Sequence, residues 1–300
     1  MNRYMRAVGF SDCKNKKQIT ELFYKKSEAI CISRYSAQEE DGEERFVKRS
    51  EFGTDFGLIW FGSITEGREQ IEDCMPYVAG TQEIVKEELS VEERMCGNLF
   101  SGATEDLRIG VYLIFFLNNG ECFREDVQET GKIQRPLVLA LSGLSVSGTV
   151  LLPLALSRDD RKRKQREKLK QFKLLADARN GDEAAIENLA YKDMNLSMKV
   201  SKRIYSEDLF SIVESSFMPY GLECDQYSVI ADIKSVMSVR NCITGEEVWR
   251  LQLDYNGLGI DLCINKKDLV GEPKQGRRFK GSIWLQGTIL GNGEKSLKIH

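Results

Sequence analysis

The chain has 300 residues, an apolar content of 41% and a formal net charge of −3. This length and apolar content suffice for one large domain or two ordinary ones with buried cores, and the charge excludes a bulk electrostatic attraction to nucleic acid or membrane. His300 is the single histidine, which excludes Ser-His-Asp and Cys-His catalysis, histidine metal sites and histidine general bases. Any enzymatic chemistry would therefore use carboxylates, lysine, tyrosine or cysteine.

Eight cysteines are scattered along the chain, and none of them forms a Cys-x-x-Cys pair. This spacing argues against a zinc ribbon or a thioredoxin-type site, and the N-terminus lacks the apolar core of a signal peptide. We therefore predict reduced thiols in a cytoplasmic protein. Neither Gly-x-Gly-x-x-Gly nor Gly-Lys-Ser/Thr occurs, so we predict no purine nucleotide site, no cofactor and no metal.

Residues 1–157 have the pattern of an α+β body that is rich in strands. Lys16 to Lys26 predicts a short amphipathic helix. Strands are predicted at 29–33, 45–49 and 56–64. Phe56 to Gly62 and Ile109 to Leu117 are apolar on both faces, which is typical of central strands covered on both sides. After a turn at Asn118-Asn119-Gly120, we expect Glu121 to Val127 to pair back.

Leu137 to Leu156 is a run of twenty residues without a charge, a length that can span a bilayer. Polar residues alternate with Leu144 and Val146 in its middle, and Pro153 interrupts its second half. Two buried strands joined by a Ser/Gly turn fit this pattern better. We therefore predict β structure and no membrane span.

Residues 158–221 predict a helical connector. Its first helix, Arg158 to Lys173, carries nine basic and three acidic residues, and it is either a charged surface helix or a helix that grips phosphates. Gly181-Asp182 ends this helix and caps the next one. Further helices are predicted around Met194 to Ile204 and from Ser206 to a stop at Pro219.

Residues 222–300 predict a small antiparallel β module. Trp249, Leu251, Leu253 and Tyr255 alternate with polar residues, and Asn256-Gly257 supplies the positive-φ positions of a type I′ hairpin turn. The expected product is a five-stranded barrel or a curved sheet. Its predicted core consists of Leu251, Leu253, Ile260, Leu262, Ile283 and Leu285.

Three segments of the chain have a more distinctive amino-acid sequence. These are Tyr4 to Phe10 (YMRAVGF), Ser216 to Tyr227 (SFMPYGLECDQY), and Gly271-Glu-Pro together with Arg278 to Gly287 (RFKGSIWLQG). In these segments the chain resembles an uncharacterised bacterial family catalogued as domain of unknown function 3881. The resemblance runs over the full length and implies a soluble bacterial protein of one architecture, but it brings no activity and no site residue.

Three functions remain open. The leading hypothesis is a non-catalytic binding or interaction protein, because the sequence carries no familiar catalytic, metal or nucleotide motif. The second is single-stranded nucleic-acid binding by an OB-like module, for which the predicted binding residues are Arg278, Lys280, Trp284, Arg277 and Lys274. The third is a carboxylate-dependent enzyme that uses Glu223, Asp225 and Asp232. The expected partner is a protein or single-stranded nucleic acid, and no membrane partner is predicted.

For Trp284 the sequence leaves two alternatives. The indole is exposed beside Arg278 and Lys280 as a stacking surface, or it is buried against the connector helix around Leu209 and Phe210. The second alternative is favoured.

Overall fold

The computed structural model describes most of the chain up to Leu290. The described residues are 2–13, 15–26, 31–38, 43–86, 88–94, 99–106, 108–109, 111–123, 132–133, 136–153, 166–167, 170, 173–174, 177–178, 181–189 and 215–290. This part of the protein is mostly β.

The first sheet is an antiparallel meander in the order β1-β2-β3-β4. Its strands are β1 (Cys31–Gln38), β2 (Glu44–Gly53), β3 (Phe56–Thr65) and β4 (Arg68–Val78). The strand β3 is buried from Phe56 to Gly62, as its apolar pattern predicts. It lies between β2 and β4 in the sheet, and both of its faces are covered.

The second sheet contains the remaining thirteen strands of the described chain. They are β5 (Glu83–Lys86), β6 (Leu89–Glu93), β7 (Phe100–Asp106), β8 (Val111–Leu117), β9 (Lys132–Ile133), β10 (Leu137–Ser145), β11 (Gly148–Leu151), β12 (Ser216–Pro219), β13 (Gln226–Arg240), β14 (Glu247–Tyr255), β15 (Leu258–Asn265), β16 (Leu269–Val270) and β17 (Arg278–Leu290).

Helices are short in the described residues. One α-helix, α1, spans Lys16–Lys26, and 3₁₀ helices span Arg3–Val8, Gly120–Phe123 and Lys266–Asp268. Helix α1 confirms the amphipathic prediction. Residues 183–189 are also helical, and the backbone amide of Ala185 donates to Asp182 Oδ1 at 3.1 Å, which confirms the predicted cap.

Five strands of the second sheet close into a ring. The order is β13-β14-β15-β10-β17, and the N-terminal half of β13 then pairs with β17. The strands β10 and β15 run parallel, and the other four contacts are antiparallel. All six predicted core residues point into this ring and are at most 1% exposed. The Asn256-Gly257 turn has φ values of 54° and 86°, as a type I′ hairpin requires.

A second core lies outside the ring. The N-terminal 3₁₀ helix and the first sheet pack on the outer face of β10, β14, β15 and β17, which contribute Leu144, Val248, Cys263 and Trp284. The N-terminal helix is fixed there because Asn241 and Asn265 donate to the carbonyl oxygens of Val8 and Arg6, at 2.7 and 3.1 Å. Consequently the ring is covered on this side by the start of its own chain.

Three local predictions are wrong in part. Glu121 does not begin a strand, because Gly120–Phe123 is a 3₁₀ helix in which buried Glu121 pairs with Arg49. Ser216–Pro219 forms β12 rather than the end of a helix, because Phe217 packs against Tyr227 and Tyr255 while its backbone pairs with β13. One face of β8 is open near its start, where Tyr112 is 63% exposed.

The uncharged stretch that starts at Leu137 forms β10 and β11, as predicted. No helix among the described residues combines the length and the apolar character needed to cross a membrane. Most of the predicted basic helix, the helices around 194–204 and 206–213 and the residues 124–127 lie outside the described residues.

Candidate functional site

Trp284 lies on the outer face of β17. Side chains alternate along a strand, so Ile283 and Leu285 point into the ring while Trp284 points away from it. The indole is nevertheless only 4% exposed, because the N-terminal 3₁₀ helix covers one of its faces and β8 covers the other. We call this contact of three elements the Trp284 junction.

The junction is a row of stacked side chains. The Tyr4 ring lies 5.3 Å from the Trp284 ring on one side, and the Phe116 ring lies 5.2 Å away on the other. The Arg3 guanidinium lies 4.9 Å from the Tyr4 ring, and that of Arg94 lies 5.9 Å from the Phe116 ring. Aromatic pairs and cations above aromatic rings at such distances stabilise a fold beyond the area that they bury.

Asp225 forms hydrogen bonds with two residues of the junction. Its Oδ2 accepts the indole Nε1–H of Trp284 at 3.0 Å and a guanidinium N–H of Arg94 at 2.6 Å. The Asp225 side chain is only 6% exposed, whereas that of Arg94 is 36% exposed. The buried carboxylate is therefore compensated by one neutral and one charged donor, as a buried charge requires.

Hydrogen bonds next to these contacts fix the loop between β12 and β13. The backbone N–H of Tyr220 donates to the Gln226 carbonyl at 2.8 Å, and that of Leu285 donates to the Asp225 carbonyl at 2.9 Å. The Gln226 side chain accepts from Arg3 and donates to Glu223. This loop therefore joins the N-terminal helix, β17 and β13.

The end of β12 and the loop that follows it present large apolar side chains to solvent. Met218 is 57% exposed, Tyr220 is 51% exposed and Leu222 is fully exposed at the tip. Gly221, with φ +77°, makes the turn that carries Leu222. We call Met218 to Leu222 the apolar loop.

The chemistry of the junction is one of positioning. Burial raises the pKa of Tyr4 above its ordinary value, although Arg3 opposes the shift, so the phenol stays protonated at neutral pH. The Asp225 oxygen that lies nearest to Trp284 already accepts two hydrogen bonds. The arrangement packs aromatic rings against one another and holds them by hydrogen bonds to one carboxylate.

The predicted cationic surface is not assembled as expected. Arg278 is 4% exposed and its Nε donates to the Leu152 carbonyl at 3.1 Å. Lys274 is exposed and pairs with Glu272, while Arg277 donates to the Glu272 carbonyl.

Lys280, which is half buried, stands four residues from Trp284 on β17, about 13 Å along the strand. The alternative of a stacking surface at Trp284 is wrong because the indole is buried. The indole is buried as the other alternative expects, but its neighbours are Tyr4 and Phe116, and packing against Leu209 and Phe210 stays a prediction because these two residues lie outside the described residues.

The three predicted carboxylates do not converge. Asp225 belongs to the junction, and Glu223 accepts from the Gln226 side chain. Asp232 lies on the exposed side of β13, 3.8 Å from Lys234. Asp225 precedes β13, and the six residue steps from Gln226 to Asp232 span about 20 Å of strand, so the two carboxylates do not form an acid–base pair.

Sequence reasoning missed Arg3, Arg94 and Phe116 as members of the junction. Arg94 and Phe116 carried no local signal, because their positions depend on how distant strands pair. Tyr4, Asp225 and Trp284 did carry one. Each lies in one of the segments that resemble a known family, and these segments meet in space at this junction.

One family model matches residues 5–287 of the chain. Its description reads "Domain of unknown function, E. rectale Gene description (DUF3881)". Searches among curated proteins and among solved structures gave no match.

Proposed function

We propose a function from the geometry of the chain, because the chain belongs to the family of this description (DUF3881) and the description names no activity. We propose that it is a non-catalytic interaction protein that presents the apolar loop, Met218 to Leu222, to a protein partner. The observation that carries this proposal is the full exposure of Leu222 on a loop whose base is tied to the Trp284 junction. Contiguous exposed apolar side chains on a folded surface are typical of protein–protein contacts.

The loop has the properties of a preorganised contact. A partner does not have to order all of it, because Met218 and Pro219 pair with β13 and the backbone N–H of Tyr220 donates to the Gln226 carbonyl, and ordering side chains and loops on binding costs free energy. Pro219 lies in the edge strand β12 and lacks a backbone N–H. We therefore assign the contact to side chains of the loop rather than to the addition of a strand at this edge.

The proposed fold class remains α+β, with an OB-like C-terminal module. Its support is the five-strand ring, since an OB fold is a five-stranded Greek-key barrel. We keep the three-part division into body, connector and module as a proposal about the chain's organisation. In that division, β10 belongs to residues 1–157 and nevertheless completes the ring of residues 222–300. A cytoplasmic location is proposed from the dispersed thiols.

Single-stranded nucleic-acid binding has weaker support as a second function. OB folds bind oligonucleotides on the face of their second and third strands, here β14 and β15. On that face Arg250 is 8% exposed and faces Asp55 at 3.3 Å, and buried Asp261 accepts from the Thr81 hydroxyl at 2.9 Å. The face is thus covered by the protein's own N-terminal half.

Site-specific photo-crosslinking in native cells tests the interaction. A benzophenone amino acid replaces Leu222 in one variant and Val270, which is 68% exposed, in a matched control. We expect a light-dependent adduct with another protein from position 222, which Tyr220→Ser weakens, and none from position 270. Equal adducts at both positions, or none at 222 in a variant with a native melting temperature, would contradict the proposed function.

A further inference from the structure

A pocket of about 240 Å³ lies on the outer face of β6, β7 and β8. It shares no residue with the Trp284 junction or with the apolar loop. Ser90 and Ala103 form its floor, and Lys86, Glu88, Glu105 and Tyr112 stand around it.

The strand register explains the depression. Ser90 lies directly opposite Ala103, and Glu105 lies opposite Tyr112. Opposite residues share a face of a sheet, so two small side chains lie next to a row that carries a carboxylate and an aromatic ring. A pocket of this volume has room for one sugar ring and is smaller than the pockets of roughly 300–1,000 Å³ that hold drug-sized ligands.

The charges around the pocket are largely compensated. The Lys86 ammonium donates to the Glu105 carbonyl at 2.6 Å and to Asp106 at 3.2 Å, and Glu88 pairs with Lys132 at 2.7 Å. An ionic ligand would have to displace these partners. A neutral ligand with many hydroxyl groups would not, because carboxylate and serine oxygens keep further acceptor positions.

We propose that this pocket binds a neutral carbohydrate, one ring of which stacks on Tyr112. The Tyr112 side chain is 63% exposed. An exposed aromatic ring offers an apolar face to the C–H groups of a sugar while its hydroxyl group remains hydrated. Glu88, Glu105 and Ser90 supply acceptors for the hydroxyl groups, and the small floor lets the ring approach. Pockets with one apolar wall and a few converging polar groups are the usual form of small-molecule sites.

Titration of the full chain with maltotriose, cellotriose, xylotriose and chitotriose, followed by heteronuclear NMR, tests this assignment. We expect at least one sugar to give saturable shifts that are centred on Ser90, Ala103 and Tyr112. Tyr112→Ala should weaken that affinity by roughly tenfold, because it removes the aromatic face on which the sugar ring packs. Ala103→Leu, which fills the floor, should abolish binding.

Val85→Ala removes another exposed apolar side chain, 71% exposed, and should leave sugar binding unchanged. Circular dichroism of each variant separates a lost site from a lost fold. The proposal is overturned if none of the four sugars gives saturable shifts at these residues, or if Tyr112→Ala binds as tightly as the parent chain. Because the pocket and the apolar loop share no residue, this result leaves the crosslinking test unaffected.

Discussion

The indole Nε1 of Trp284 lies 3.0 Å from Oδ2 of Asp225, and Arg94 donates to the same oxygen at 2.6 Å. One buried carboxylate therefore ties β17 to the segment that follows β6 and to the loop before β13. Leu222, the tip of the apolar loop, precedes Asp225 by three residues in the same loop. The junction and the proposed interaction surface are therefore neighbours along the chain.

Trp284→Phe tests the hydrogen bond with little change to the stack. The variant keeps an aromatic ring between Tyr4 and Phe116 but removes the donor to Asp225, and loss of one partner of a buried polar group costs about 1–3 kcal/mol. Urea unfolding followed by circular dichroism measures the loss. Trp249→Phe, at a partly buried ring, is the matched control, and an equal loss in both variants would contradict the special role of Trp284.

Leu262→Ala tests the core of the ring. The Leu262 side chain is fully buried, so we expect the free energy of unfolding to fall by roughly 2–5 kcal/mol from lost burial and the cavity left behind. Val270→Ala, at an exposed position, should change it by less than about 0.5 kcal/mol. Similar values for the two variants would show that the ring is not the stabilising core.

Gly9→Ala tests the attachment of the N-terminal helix. Gly9 has φ +88°, and an added Cβ would lie 2.8 Å from the Cβ of buried Asn241, which holds the Val8 carbonyl. Gly245→Ala is the control, because its φ is +77° but nothing lies within 4 Å. Left-handed strain costs about 1–2 kcal/mol in both, so the larger loss expected for Gly9→Ala reports the contact with Asn241. Equal melting temperatures of the Gly9→Ala and Gly245→Ala variants would contradict this contact with Asn241.

The pH dependence of stability tests the environment of Asp106. Burial alone would raise its pKa, but Arg108 and Lys86 oppose this effect and hold the pKa below its ordinary value. A carboxyl with a lowered folded-state pKa stabilises the protein above its unfolded pKa, about 3.9, and this contribution disappears as the pH falls through the folded value. We therefore expect the melting temperature to fall more steeply below about pH 4 in the parent than in Asp106→Asn.

Glu247 provides the control for this measurement. Its pKa is also lowered, first by a hydrogen bond from Lys266, but both partners are open to solvent, with side-chain exposures of 39% for Glu247 and 51% for Lys266. The effect of Glu247→Gln should fade in high salt because exposed pairs are screened, whereas the effect of Asp106→Asn should persist. Identical pH profiles of the parent and Asp106→Asn would contradict the assignment.

Local patterns predicted much of the secondary structure. The alternation around Trp249 to Tyr255 and the Asn256-Gly257 turn gave the β14–β15 hairpin, because both period and turn chemistry are properties of neighbouring residues. The amphipathic pattern of Lys16 to Lys26 gave α1. The same period-two alternation correctly placed Ile283 and Leu285 of β17 in the core, as it did the predicted core residues of β14 and β15.

The sequence predicted single residues of the candidate site but not the site as a whole. Trp284 and Asp225 were each singled out, but for nucleic-acid stacking and for catalysis, because a sequence does not show that the two side chains touch. Arg94 and Phe116 were not singled out at all. Their contacts join residues far apart in the chain, and each depends on the pairing of strands rather than on a local pattern.

The sequence by itself determined the alternating faces of the strands, the hairpin turn and the limits set by a single histidine, since these follow from residue type and spacing. Tertiary structure alone decided that β10 completes the ring and that a second layer covers the outer face of β17. A period-two pattern tells which side chains share a face, but the burial of that face depends on what packs against it. Here the covering elements are the N-terminal helix and β8, and so Trp284 is part of a buried junction rather than a surface for bases.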